Sequence, residues 1–158
     1  MIQWHVLDFN ELSLEQLYQI MKLRQDVFVV EQTCIYEDLD NLDQSCRHLF
    51  ATQATDSGND EIIAYTRLIP SGLVHKGELL SDQAAIGRAI IHESARGQKL
   101  GFELMQRSID AIHELTPGIA IKIGAQQHLE NFYGQLGFKT ISEMYLEDGI
   151  PHIDMLRS

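Results

Sequence analysis

The chain has 158 residues, 44% of them hydrophobic and 22% charged, with a net charge of −11. This is the composition of a globular domain large enough to bury a core without disulfides or metal, and its acidity counts against nucleic acid while suiting either a cationic partner such as an amine or solubility alone. No apolar run approaches the roughly 20 residues of a membrane helix, and Met1–Asp8 has neither a basic start nor an apolar signal core, so a cytoplasmic location without membrane contact is expected.

Residues 2–7 alternate as a first strand. Ser13 with Gln16 three residues later has the pattern of a capping box. It opens a helix whose apolar face is Leu14, Leu17, Tyr18 and Met21 and which continues toward Phe28. Residues 33–44 are acidic and irregular. Residues 47–54 and 62–69 read as a hairpin around Asp56–Asp60, and residues 71–83 as a loop. A strand over 86–91 precedes a helix over 98–115, striped by Leu100, Leu104, Ala111 and Leu115 and broken at Thr116-Pro-Gly118. Residues 119–125 form a short apolar strand. A helix over 128–136 is capped at Gly137. Strands over 138–145 and 152–156 flank the turn Glu147-Asp-Gly149. This order predicts a mixed α/β fold around a central sheet, with the strands at 86–91 and 119–125 parallel. Cys34 and Cys46 match no zinc or redox spacing and are expected to be free thiols. The histidines show no zinc pattern, and no metal is expected.

The stretch Ile86-Gly-Arg-Ala-Ile-Ile91 followed by Arg96-Gly-Gln-Lys-Leu-Gly101 carries the strongest chemical signal. A strand that feeds a glycine turn at a helix start leaves backbone N–H groups unpaired at the positive end of the helix dipole. That is an anion site suited to phosphate or pyrophosphate.

The turn resembles the Gln/Arg-x-x-Gly-x-Gly/Ala motif of the GNAT acyltransferases. Ile123-Gly-Ala-Gln126 followed by Tyr133-Gly-Gln-Leu-Gly-Phe138 resembles the strand and Tyr-x-x-x-Gly-Phe helix of the same family. Phe28-Val-Val-Glu-Gln32, Tyr36-Glu-Asp, Arg47-His48 and Asp148-Gly-Ile-Pro-His152 are similar to its ElaA-type branch. The resemblance implies one domain over 1–158, α+β in class, with a central mixed, mostly antiparallel sheet flanked by helices. It implies acetyl or short acyl transfer from acetyl-CoA to a small-molecule or peptide amine. By resemblance, Ala89, Ile90 and Ile91 offer backbone groups to the cofactor arm and thioester. Gly97, Gln98, Lys99, Leu100, Gly101 and Phe102 cradle the pyrophosphate, and Gln126 stands where the family often has an Asn. Tyr133 stands where many members carry the tyrosine that protonates the leaving thiolate. Lys99 replaces the middle glycine of the motif and is tolerable there if its backbone angles are helical.

An alkylamine with pKa near 10.4 is about one part in 10³ to 10⁴ neutral at pH 7, so acyl transfer needs a proton acceptor. Some family members carry a Glu for this task where this chain has Ile121. Glu31, at the junction of the first helix and the acidic loop, is the first candidate for the base, with Asp38, Asp40, His48 and His152 as alternatives. The acidic run 37–43 reads as a solvated loop or as a funnel for a basic amine, and Arg88 as a salt-bridge residue. An acyl-CoA-binding or sensing module without efficient catalysis is the alternative function, motivated by Lys99 and Ile121. Assembly stays open between monomer and homodimer.

Overall fold

In the computed structural model, which describes residues 1–158, the chain begins with β1 (Ile2–Asp8). Helix α1 (Leu14–Arg24) starts at the expected capping box: Gln16 N–H donates to the Ser13 hydroxyl at 3.0 Å, and Ser13 N–H donates to the Gln16 side-chain oxygen at 2.9 Å. The expected apolar face is only partly the buried one. Leu14 and Tyr18 are exposed, whereas Ile20, Leu23 and the guanidinium of Arg24 are buried. Winding continues past Arg24 as a π-helical stretch over Gln25–Glu31. Such wider turns are uncommon and cluster at functional sites.

Strands β2 (Arg47–Ala54) and β3 (Asp60–Ile69) form the expected hairpin. The region read as a loop at 71–83 contains a small hairpin of its own, β4 (Val74–His75) and β5 (Glu78–Leu79). Lys76 (φ 53°) and Gly77 (φ 76°) turn it as a type I′ pair. Then come β6 (Gln83–Ile91), α2 (Leu100–Leu115), β7 (Ala120–Gln126) and α3 (Glu130–Gly134). Gly137 (φ 95°) ends the turn after α3: Phe138 N–H donates to Tyr133 O and Gly137 N–H to Gly134 O, a Schellman pattern. The strand expected over 138–145 is divided into β8 (Lys139–Thr140) and β9 (Tyr145–Glu147), because the Ser142 hydroxyl between them takes the Asp154 N–H. β10 (Ile150–Arg157) closes the chain.

The sheet runs β1-β2-β3-β6-β7-β10-β8, with β9 also on β10. Every pair is antiparallel except β6 with β7, which is parallel. Helix α2 lays Leu104, Met105 and Ile109 over one sheet face, against Leu49, Ile63, Ile121 and Ile153. Leu115, expected on that stripe, is exposed at the helix end. On the second face Ile20 and Leu23 of α1 pack on Phe50, Ile62, Tyr65 and Ile90. Two covered faces explain why β2 and β3 read as nearly continuous apolar runs. No helix is long and apolar enough to cross a membrane.

Candidate functional site

The parallel pair β6 and β7 bridges only at Gln83–Ala120, Ala84–Ile121 and Ala85–Lys122. Beyond these residues the strands part, and the β7-facing backbone of β6 loses its strand partner. His92 N–H donates to Ile63 O at 2.8 Å on the β3 side. Strand alternation therefore turns the N–H and C=O of Ile91 into the opening and those of Ile90 toward β3. The Ile91 carbonyl there accepts from Arg96 Nε at 3.1 Å.

Between these points β6 carries a bulge: Gly87 opposes Arg67 and Ile90 opposes Tyr65, so Arg88 and Ala89 together face Thr66. Arg88 is left-handed, with φ 54°. A bulge with its first residue left-handed normally uses glycine, and a side chain there costs about 1–2 kcal/mol. Ala89 follows, exposed on the wall of the opening.

At the far end of β6 the turn into α2 holds Gly97 (φ 87°) and Lys99 (φ 59°, ψ 31°), the residue before the helix. The condition set for Lys99, ordinary helical angles, is not met: lysine occupies a left-handed position that glycine would take without strain. No side chain caps α2, so its leading N–H groups are open to an anion. Gln98 and Lys99 are exposed and Leu100 is buried. A Cβ on Gly101 would lie 3.7 Å from Phe132 Cζ, an ordinary contact, so Gly101 sits where α2 meets α3 but the packing there has room for a side-chain carbon. Phe102 meets Phe132 edge-on at 6.4 Å between ring centroids. The turn and the helix that carries Tyr133 are thus packed together.

The opening leads into a cleft of about 540 Å³ whose lining includes Ala89, Gln126, Tyr133, Glu147 and His152. Ile90, Ile91 and the 97–102 turn lie outside this cleft. Burial alone pushes the Tyr133 phenol above its usual value, so it stays protonated at neutral pH. His152 on β10 is the cross-strand partner of Gln126. Its Nδ1–H donates to the Ile150 carbonyl at 2.8 Å, which fixes the proton on that nitrogen. Its Nε2 faces Glu147 Oε2 at 3.4 Å. Two lone pairs facing one another need a proton or a donor between them, so this pair is shaped to receive an ammonium or to hold a proton. Burial raises the Glu147 carboxyl, but the Lys76 ammonium at 2.8 Å outweighs it and holds Glu147 below the usual range. Glu147 and Lys76 escaped the sequence reading. The Asp-Gly signal of the 147–149 turn could have found Glu147, because the residue before such a turn ends a strand.

The other base candidates are committed elsewhere. Glu31 does not line the cleft. Both its oxygens accept from the Arg96 fork, at 2.9 and 3.0 Å, and these bonds hold its carboxyl below the usual range. A low-pKa carboxylate in a two-toothed ion pair is a poor base, and its place is to tie the π-helical stretch to the turn that precedes α2. His48 is fully buried: Nε2–H donates to the Asp43 carbonyl at 2.9 Å and Nδ1 accepts from Tyr65 OH at 2.6 Å. Desolvation lowers its pKa and keeps it neutral.

Three of the four acids in the acidic run are taken up in ion pairs rather than solvated, and only Glu37 is exposed, on the cleft lining. Asp38 and Asp43 are buried, and with Asp40 they hold three arginines. Asp38 accepts from Arg24 Nε (2.9 Å) and Arg88 Nε (2.8 Å). Asp43 accepts from Arg24 Nη1 (2.6 Å) and Arg67 Nη1 (3.1 Å), and Asp40 takes Arg67 at both oxygens (2.7 and 2.8 Å). Burial raises the Asp40 carboxyl, yet Arg67 outweighs it and brings it down to about 2. Only Arg67 Nε is left buried without a partner. Arg88 is the salt-bridge residue expected of it, while Ile121 is core, with no exposed surface.

The acetyltransferase (GNAT) domain model matches residues 28–158. Protein ElaA of Escherichia coli K12 is 41% identical over 159 residues, spanning 99% of this chain and 97% of that protein. The crystal structure of Escherichia coli ElaA is similar with a TM-score of 0.87 at 40% identity, covering 100% of both chains. An acyl-CoA N-acyltransferase from Pseudomonas aeruginosa is similar with a TM-score of 0.87 at 39% identity, again over 100% of both chains.

Proposed function

The chain belongs to the GNAT acetyltransferase family, in its ElaA-like branch, and from this premise we propose that it moves an acetyl or other short acyl group from acetyl-CoA to a primary amine by direct attack in a ternary complex. The observation that carries the reading is the parting of β6 from β7 beyond Ala85. An uncapped helix start lies at one end of the gap, and a cleft holding Tyr133, Gln126 and His152 lies at the other.

These residues fit an acyl-CoA. The N–H groups of the 97–102 turn would hold the pyrophosphate, with the Lys99 ammonium adding charge that a glycine could not. The opened backbone groups of Ala89 and Ile91 and the Gln126 amide would hold the arm, while those of Ile90 are turned toward β3. When bound, acyl-CoA supplies the thioester. An N–H fixed beside its carbonyl stabilises the negative charge that grows on oxygen during attack. His152 is the proton acceptor for the amine: its Nε2 faces the cleft lining, and Glu147 beside it stabilises the imidazolium. Tyr133 returns a proton to the sulfur as the C–S bond breaks. Holding amine and thioester together supplies much of the rate through proximity.

The test is a panel of primary amines incubated with acetyl-CoA, with N-acyl product read by mass spectrometry and cofactor binding by thermal shift. Acetyl-CoA at 100 times its Kd should add about 2.7 kcal/mol to stability. A flat melting curve refutes the cofactor assignment. The rival reading, an acyl-CoA-binding module without efficient turnover, draws on the strained Lys99 and the buried Ile121. It predicts stabilisation without product.

A further inference from the structure

Arg88 stands in the one place on β6 where a side chain is least welcome. It is the left-handed first residue of a bulge (φ 54°), a position suited to glycine, and it immediately precedes Ala89 on the cleft wall. Its side chain is more constrained than a surface arginine's. Nε donates to Asp38 Oδ1 at 2.8 Å, and Nη2 donates to the Asp38 carbonyl at 3.0 Å and to Asp40 Oδ2 at 3.5 Å. The guanidinium lies 5.6 Å from the centre of the Tyr36 ring, whose hydroxyl donates to the same Asp38 oxygen at 3.0 Å.

The anchor is itself held by further ion pairs. The second oxygen of Asp38 holds Arg24, and Asp40 is gripped by Arg67, both arginines being fully buried. Strain in a backbone persists where the surroundings over-determine it, and such strain concentrates at functional sites. Here a neutral cluster of three arginines and three aspartates fixes one strained residue of the strand that faces the thioester.

We propose that Arg88 is a positioning residue for acyl transfer: its pair with Asp38 locks the β6 bulge and so aims the backbone N–H groups that follow, from Ala89 onward, at the acyl carbonyl. The inference rests on the acyltransferase reading above. It also gives the acidic loop a task. Tyr36, Glu37 and Asp40 line the cleft, and through Asp38 and Asp40 the same loop is rigidly joined to the reacting strand.

The deciding variant is Arg88→Gly, because glycine accepts the left-handed angle and the fold keeps its bulge while losing the anchor. The unsubstituted protein, Arg88→Gly and Arg88→Lys are compared for kcat, for the Kd of acetyl-CoA and of CoA, and for hydrogen exchange at the Ala89 amide. In Arg88→Gly the kcat should fall roughly 10²-fold, as for small misplacements of a reacting group. The unsubstituted protein should bind acetyl-CoA more tightly than CoA; in Arg88→Gly the Kd of CoA should stay unchanged, that difference should vanish, and Ala89 exchange should quicken. Arg88→Lys, which keeps the charge without the fork, should recover part of kcat. A purely structural ion pair would lower Tm and leave kcat and the acetyl preference as they were, and that result overturns the proposal. If the unsubstituted protein binds no acetyl-CoA or forms no acylated amine, the functional reading fails and takes this inference with it. Transfer at equal rates by the unsubstituted protein and Arg88→Gly removes the inference alone.

Discussion

Replacing Asp43 by asparagine should be among the most destabilising single changes of a polar side chain in this protein. Asp43 Oδ1 accepts from Arg24 at 2.6 Å and from Arg67 at 3.1 Å, and its side chain is 8% exposed against 0% for either arginine. The cluster holds three aspartates against three arginines, so the amide leaves one buried positive charge uncompensated. Removing one partner of a buried pair costs about 3–5 kcal/mol, and the lower end applies because Asp38 and Asp40 still hold the two guanidinium groups. For a chain of this size 1 kcal/mol moves Tm by about 2–4 °C, so Asp43→Asn should lower Tm by about 6–12 °C. Urea titration at pH 7 should show a lower midpoint with an unchanged slope. Asp26→Asn is the control: the Lys22–Asp26 pair is 62% and 47% exposed, so its loss should leave Tm nearly unchanged. Equal losses in the two variants would mean that the cluster is solvated and that its account here is mistaken.

Three further outcomes are expected. Tyr133→Phe should lower kcat by about 10²-fold, the usual scale for a lost proton donor, with acetyl-CoA affinity by calorimetry unchanged; an unaltered kcat removes Tyr133 from the chemistry. Glu31→Gln should leave kcat nearly unchanged and His152→Gln should lower it by about 10²-fold, and the reverse pattern would restore Glu31 as the base. Stability should fall on acidification in two stages. Desolvation lowers His48, and it lowers His75, further depressed by Lys76, to about 4. The unfolded chain therefore binds more protons than the native one from about pH 6.5 down to about 4, and stability drops across that window. Asp40, held at about 2 in the fold, adds a second loss as pH falls from about 3.8 toward 2. Urea midpoints from pH 8 to pH 2 check this, and a flat profile between pH 6.5 and 4 would show that these histidines titrate normally.

Local signals carried most of the architecture. The Ser13–Gln16 box, the Asp56–Asp60 hairpin and the Gly137 cap depend on neighbours in sequence, and each stands as expected, while the parallel pair around α2 follows from the strand–helix–strand order. What escaped depends on partners far apart. The acidic run looked solvated because nothing local shows that Arg24, Arg67 and Arg88 converge on it; the pairs span 14, 27 and 50 positions. Glu31 looked available because its partner, Arg96, is 65 positions away. Lysine at position 99 is tolerable without strain only with helical angles, whereas the chain turns from β6 into α2 through a left-handed residue there, which nothing local in the sequence reveals. The π-helical stretch left no trace in composition, since its residues still alternate as a helix would.

The central claim is that the gap between β6 and β7 holds an acyl thioester beside an amine. It is tested most directly by following free CoA thiol and N-acylated amine together, in one reaction of the purified protein with acetyl-CoA and a primary amine. The account predicts that both appear in equal amounts, at a rate that Tyr133→Phe and His152→Gln each reduce. Acetyl-CoA binding with neither product formed, across the amine panel, would contradict it and leave a binding module in its place.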